Sequence, residues 1–154
     1  MPSDWLVILT LLGVVLGAVG LGGGIYETLL VDAIWPKNVA IIQPSRGGID
    51  RKLFWGPVQT TYEVVLLVLA WLLWRRGVAV RPWIALSLLA HFTARAWSFA
   101  YFIPKALQFE RFNELTLEQY RRAQRWTRLS RYRPVLETIA ILALCAVLLR
   151  LRTA

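Results

Sequence analysis

Four apolar runs constrain this chain more than any other feature. They lie at about 5–34, 54–74, 83–103 and 134–151. A helix crosses the hydrocarbon core of a bilayer with about 20 mostly apolar residues. Each run is close to that length, and charge is segregated between them. The fold expected is therefore all-α, an integral membrane four-helix bundle forming a single domain over residues 1–154. Charged residues make up only 18% of the chain, below the roughly 25% of a soluble domain. Met1 to Asp4 holds no Lys or Arg, and the apolar run after it is longer than a signal-peptide core. The first run is accordingly read as a retained spanning helix.

The connections carry the polar residues. Arg75-Arg76-Gly77 stops the second run and Arg81-Pro82 opens the third, so residues 75–82 form a tight basic turn. Residues 36–53 form a loop rich in Pro, Gly and charge. Pro104 is expected to end the third run and Pro134 to open the fourth, a favoured first helical position. Between them, Thr116 and Gln119 have the spacing of a capping box. A helix at about 117–132 would set Arg121, Arg125, Arg128 and Arg131 opposite Tyr120, Ala123, Trp126 and Leu129. That pattern suits an interfacial helix lying on the headgroups, or a solvated extension of the fourth span. Trp5, Trp35, Trp55, Trp74, Trp83 and Tyr101 fall near the run ends, as an aromatic belt would.

A net charge of +9 could suggest nucleic acid, but the basic residues flank the apolar runs and no nucleic-acid motif accompanies them. They read instead as membrane anchors. The long-loop side holds Lys37, Arg46, Arg51, Lys52, Lys105, Arg111, Arg121, Arg122, Arg125, Arg128, Arg131 and Arg133. The other side holds Arg75, Arg76, Arg81, Arg150 and Arg152. The excess of Lys and Arg in cytoplasmic loops favours long loops in the cytoplasm and termini outside, in a plasma membrane of the bacterial inner-membrane type.

Each run carries an ionisable residue: Glu27 in the first, Glu63 in the second, His91 and Arg95 in the third, Glu137 in the fourth. Such residues are costly in hydrocarbon and usually face the bundle interior. In the first run Gly13, Gly17, Gly20 and Gly24 make a small-residue stripe that points the same way as Glu27. The stripe serves packing within the chain or a homo-oligomer equally well. Counting from Trp35, Trp55 and Pro104 puts Glu27, Glu63 and Arg95 at roughly 12 to 14 Å from the long-loop interface, in one layer. Two readings follow. Convergent polar groups in an apolar pocket form a binding or catalytic site. Interhelical ion pairs can also do no more than fix helix register.

Metal chemistry finds little support. A di-metal carboxylate bundle needs Glu-x-x-His pairs on two helices, and His91 is the only histidine. The lone Cys145 allows neither a disulfide within the chain nor a cysteine cluster. No nucleophile elbow, P-loop or dinucleotide fingerprint occurs. Neither a metal nor a cofactor is expected.

Four segments, in this order, resemble the small four-span proteins related to anthrone oxygenases. They are Gly24-Ile25-Tyr26-Glu27-Thr28, Phe54-Trp55, Phe99-Ala100-Tyr101-Phe102-Ile103-Pro104, and Arg125-Trp126-Thr127-Arg128-Leu129 with Arg131-Tyr132-Arg133. The resemblance covers nearly the whole chain. Where relatives often carry Asn just before the last helix, this chain has Ser130. The resemblance implies oxygenation of a lipophilic aromatic molecule by dioxygen without a conventional cofactor. It also singles out Tyr26, Glu27, Tyr101, Trp126, Arg131 and Arg133. On that logic Glu27 or Glu63 would be the base, and Arg95 or His91 would stabilise an enolate or phenolate. Tyr26, Trp97, Tyr101 and Trp126 would supply aromatic walls, and Arg131, Arg133 and Glu137 polar contacts. A different class of function is a membrane scaffold or assembly subunit, with the basic helix docking a partner or anionic lipid. A transporter fits less well, since neither repeats nor broken mid-membrane helices are evident.

Overall fold

A computed structural model of the chain describes residues 4–75 and 79–153. Arg76 and Gly77 of the basic turn lie outside the described residues. Among those described, all regular structure is helical: α1 (Asp4–Tyr26), α2 (Asp32–Ile34), α3 (Arg51–Trp74), α4 (Arg81–Trp97), α5 (Ile103–Phe109), α6 (Leu117–Ser130) and α7 (Arg133–Thr153). Two π-helical turns interrupt this order. Glu27–Val31 joins α1 to α2, and Ser98–Phe102 joins α4 to α5.

Helices α1, α3, α4 and α7 pack as a ring, each against its two neighbours. A Cβ on Gly13, Gly17 or Gly24 of α1 would meet Leu69, Tyr62 or Trp55 of α3, and Leu144, Ile141 or Pro134 of α7. Numbers rise along α1 as they fall along α3 and α7, so α1 is antiparallel to both. The glycine stripe is thus taken up inside the chain, where it lets three helices approach closely.

Three helical stretches are long and apolar enough to cross a membrane: Asp4–Ile34, Arg51–Trp74 and Leu117–Arg152. The third run of the sequence is not among them, because α4 carries Arg81, His91 and Arg95 along a short apolar length. It nevertheless completes the ring between α3 and α7.

Two apolar cores sit at opposite ends. Leu6, Leu66, Leu69, Leu73, Ile84, Leu144 and Val147 fill the end near the termini. At the other end Val31, Trp35, Val39, Ile42, Phe102, Phe109, Ala123 and Trp126 make a cap. This cap departs from expectation. Trp35, read as an interface anchor, is 1% exposed. Its indole packs against Phe109 and Trp126, and its Nε1 donates to Asp32 Oδ1 at 3.1 Å. The apolar face of α6 is covered in the same way. Ala123, Trp126, Thr127 and Ser130 are buried against the chain, while Arg121, Arg122, Arg125, Arg128 and Arg131 stay exposed. The expected capping box starts this helix. Thr116 Oγ1 accepts from Gln119 N at 3.3 Å, and Gln119 Oε1 accepts from Thr116 N at 2.8 Å.

Pro104 does not end the third helix. Its ring and missing N–H disturb the carbonyls one turn back. The wider π turn over Ser98–Phe102 takes up that misfit, and α5 continues to Phe109.

Candidate functional site

Between the two cores lies a cavity of about 330 Å³, at the lower end of the range typical for small-molecule sites. It is bounded by α1, α3, α4, α5 and α7. Leu21, Trp55, Phe99, Phe102, Ile103, Leu107 and Trp126 give it apolar walls. Glu27, Arg51, Gln59, Arg95, Glu110, Arg133 and Glu137 supply its polar surface. Both π turns border it, through Glu27 and Thr28 on one and Ser98, Phe99 and Phe102 on the other. Such turns recur at functional sites because they re-aim side chains without ending a helix.

The charges fall in two tiers rather than the single layer expected. In the outer tier Arg51 bridges two acids: Nη1 to Glu27 Oε1 at 3.2 Å and Nη2 to Glu110 Oε1 at 3.0 Å. Trp55 Nε1 donates to Glu27 Oε2 at 2.8 Å. In the inner tier Arg95 Nε donates to Glu63 Oε1. His91, fully buried, places Nδ1 3.0 Å from Glu137 Oε2 and Nε2 3.6 Å from Glu63 Oε1. Its ring stands edge-on to Tyr62, with centroids 4.8 Å apart. The tiers separate because α3 begins at Arg51, not at 54. Asp50 caps it, its Oδ1 accepting from Lys52 N at 3.0 Å. Glu63 is eight residues beyond Trp55, roughly 12 Å along the helix, so Glu27 pairs with Arg51 and not with Arg95.

Of the residues singled out from the sequence, Glu27, Arg95, Trp126, Arg133 and Glu137 line the cavity. Glu63 and His91 stand behind it, bonded to Arg95 and Glu137. Tyr26 and Arg131 are exposed and turned away from it. Trp97 and Tyr101 pack on Phe102, and Lys105 lies 4.4 Å over the Tyr101 ring. They therefore support the wall instead of forming it.

Sequence reading passed over Arg51, Glu110 and Gln59. Arg51 looked like a loop charge because the apolar run opens after it. The available signal was Asp50, a capping residue directly before it. Gln59 sits on the face of α3 that meets Gly20, and no periodicity distinguishes it from its neighbours. Glu110 follows α5, a helix that Pro104 argued against.

Among the described residues, no three His, Cys, Asp or Glu side chains are grouped so as to hold a metal ion. What the arrangement offers is an apolar slot with hydrogen-bonding groups at several depths. It suits a molecule mostly of carbon with a few oxygens. No protein family model matches the chain, and neither a curated protein nor a solved structure does.

Proposed function

We propose that this is an integral membrane protein whose four bundle helices all cross the bilayer, and that the cavity between its cores binds a lipophilic, aromatic small molecule. The crossing of α4 is supported by its place in the ring. A helix packed between α3 and α7, with His91 and Arg95 turned to Glu137 and Glu63, shares the depth of those neighbours. The binding reading is carried by the cavity itself, which remains open beside the ion pairs and is walled by aromatic side chains.

The resemblance to anthrone oxygenases extends this proposal to oxygenation of the ligand without a cofactor, with Glu27 as the base. Each oxygen of Glu27 already accepts one hydrogen bond. A carboxylate oxygen has two lone-pair sites, so each keeps one free. A second reading, the non-enzymatic scaffold, is favoured by one observation. The charges flagged by the sequence close on one another in direct pairs.

Native mass spectrometry of the protein in mild detergent, with an absorption spectrum of the same sample, separates the two. Binding predicts a co-purifying hydrophobic molecule, lost in Ala106→Trp, which fills the cavity. A clean apo mass carrying only lipid adducts would favour the scaffold.

A further inference from the structure

Every charge that lines the interior of the cavity has a protein partner except one. Glu27 and Glu110 share Arg51, Arg95 holds Glu63, and Glu137 meets His91. Arg133 differs. Its Nη2 donates to Ser130 Oγ at 2.8 Å, but its Nε is sealed from solvent without any partner. Among the described residues no carboxylate lies within 4.0 Å of the guanidinium, although Glu27, Asp32 and Glu137 act on its charge from further away. The group lies flat against an aromatic wall, 4.4 Å over Phe102 and 6.0 Å from the Trp126 ring. That contact holds its plane without using its N–H donors.

A second group on the same cavity is equally incomplete. Gln59 is 7% exposed, and its buried Oε1 has no hydrogen-bond partner. Buried polar groups are nearly always satisfied. Two that are not, facing one apolar slot, point to a guest that completes them. The guest must bring oxygen to Arg133 and carbon to Leu21, Phe99, Ile103 and Leu107. The positive end of α7, which begins at Arg133, favours negative charge at the same place.

We infer that the cavity takes an amphiphile with a single oxyanion head, carboxylate or phosphate, bound by Arg133, with its carbon chain along the apolar wall. This rests on the binding reading above and adds the chemistry of the head.

The test uses the full chain in nanodiscs of phosphatidylcholine, with laurate, dodecyl phosphate and dodecanol as probes. Laurate and dodecyl phosphate should bind at least about 10-fold more tightly than dodecanol, one charge-assisted contact being worth that much. Arg133→Gln should abolish the difference, weakening laurate and leaving dodecanol unchanged, and Arg133→Lys should restore part of it. Equal binding of all three probes by the wild-type protein would overturn the oxyanion head and leave the lipophilic site standing. Binding of none would overturn both. The wild-type comparison holds whether or not the variants fold. Phosphatidylglycerol added to the discs separates two sources. Competition with laurate identifies the head as that of a bilayer lipid, and its absence identifies a free amphiphile. Either result keeps the oxyanion at Arg133.

Discussion

Glu27 ends α1 where the helix widens, and its two oxygens answer to different elements, Oε1 to Arg51 and Oε2 to Trp55. Replacing it by Gln keeps the shape and gives up the charge, so the loss should be about 1–2 kcal/mol, a single charged hydrogen bond. Arg51→Gln should cost more, about 2–3 kcal/mol, because Glu27 and Glu110 are then both left without their cation. The partial exposure of all three side chains keeps that figure below the full cost of a buried unpaired charge. Thermal melts in dodecyl maltoside would measure both, and a Glu27→Gln variant less stable than Arg51→Gln would contradict the bridging role. The sequence made Glu27 legible, because it continues a glycine stripe that must face inward. It concealed Arg51, because hydropathy places a helix start at the first apolar residue and ignores the cap before it. Arg133 was marked only through a resemblance. Its unpaired state depends on where Glu27 and Glu137 find other partners, and no local pattern records that.

At the scale of elements, the α1 stripe can be tested residue by residue. A Cβ on Gly17 would come 2.9 Å from Ile141 Cγ1 and 3.3 Å from the Tyr62 ring. Gly17→Ala should therefore cost about 1–3 kcal/mol through overpacking. Gly22 has nothing within 4 Å of such a Cβ. Gly22→Ala should instead stabilise the helix by up to about 1 kcal/mol, since glycine is a poor helix former. Denaturant titration of the two variants gives opposite signs if the stripe packs within the chain, and similar shifts if it does not. Helix existence was readable throughout this protein, as was the capping box at Thr116, because both rest on local spacing. The role of α6 was not. Its polar face shows in its arginines, but what covers Trp126 is supplied by Trp35, Phe102 and Phe109, from distant parts of the chain. The π turns also escaped reading, since an inserted residue leaves a hydrophobic run looking continuous.

The whole molecule has two unlike ends: a sealed apolar end near the termini, and a capped end with the cavity beneath it. Four crossings place the segments around Ser45 and Asn113 on one side of the bilayer and Ala79 on the other. With Cys145 replaced by Ala, single cysteines at positions 45, 113 and 79 should react with a membrane-impermeant maleimide in two groups. Those at 45 and 113 should be labelled from one side of sealed vesicles, and that at 79 from the other. Labelling of all three from one face would rule out the crossing of α4. The π turns bear on this layout too. Each is one residue more than a regular helix needs, and one residue is about 100° of rotation. Deleting Leu30 should straighten α1 into α2 and swing Trp35 by that angle out from under Trp126, while Gly13 and Gly17 keep their places. Tryptophan fluorescence would then shift to the red with helix content unchanged. The cap and the spanning part of the bundle are thus geared by a single inserted residue on each of two helices, so a gain or loss of one amino acid could re-key the mouth of the cavity without rebuilding the shaft below.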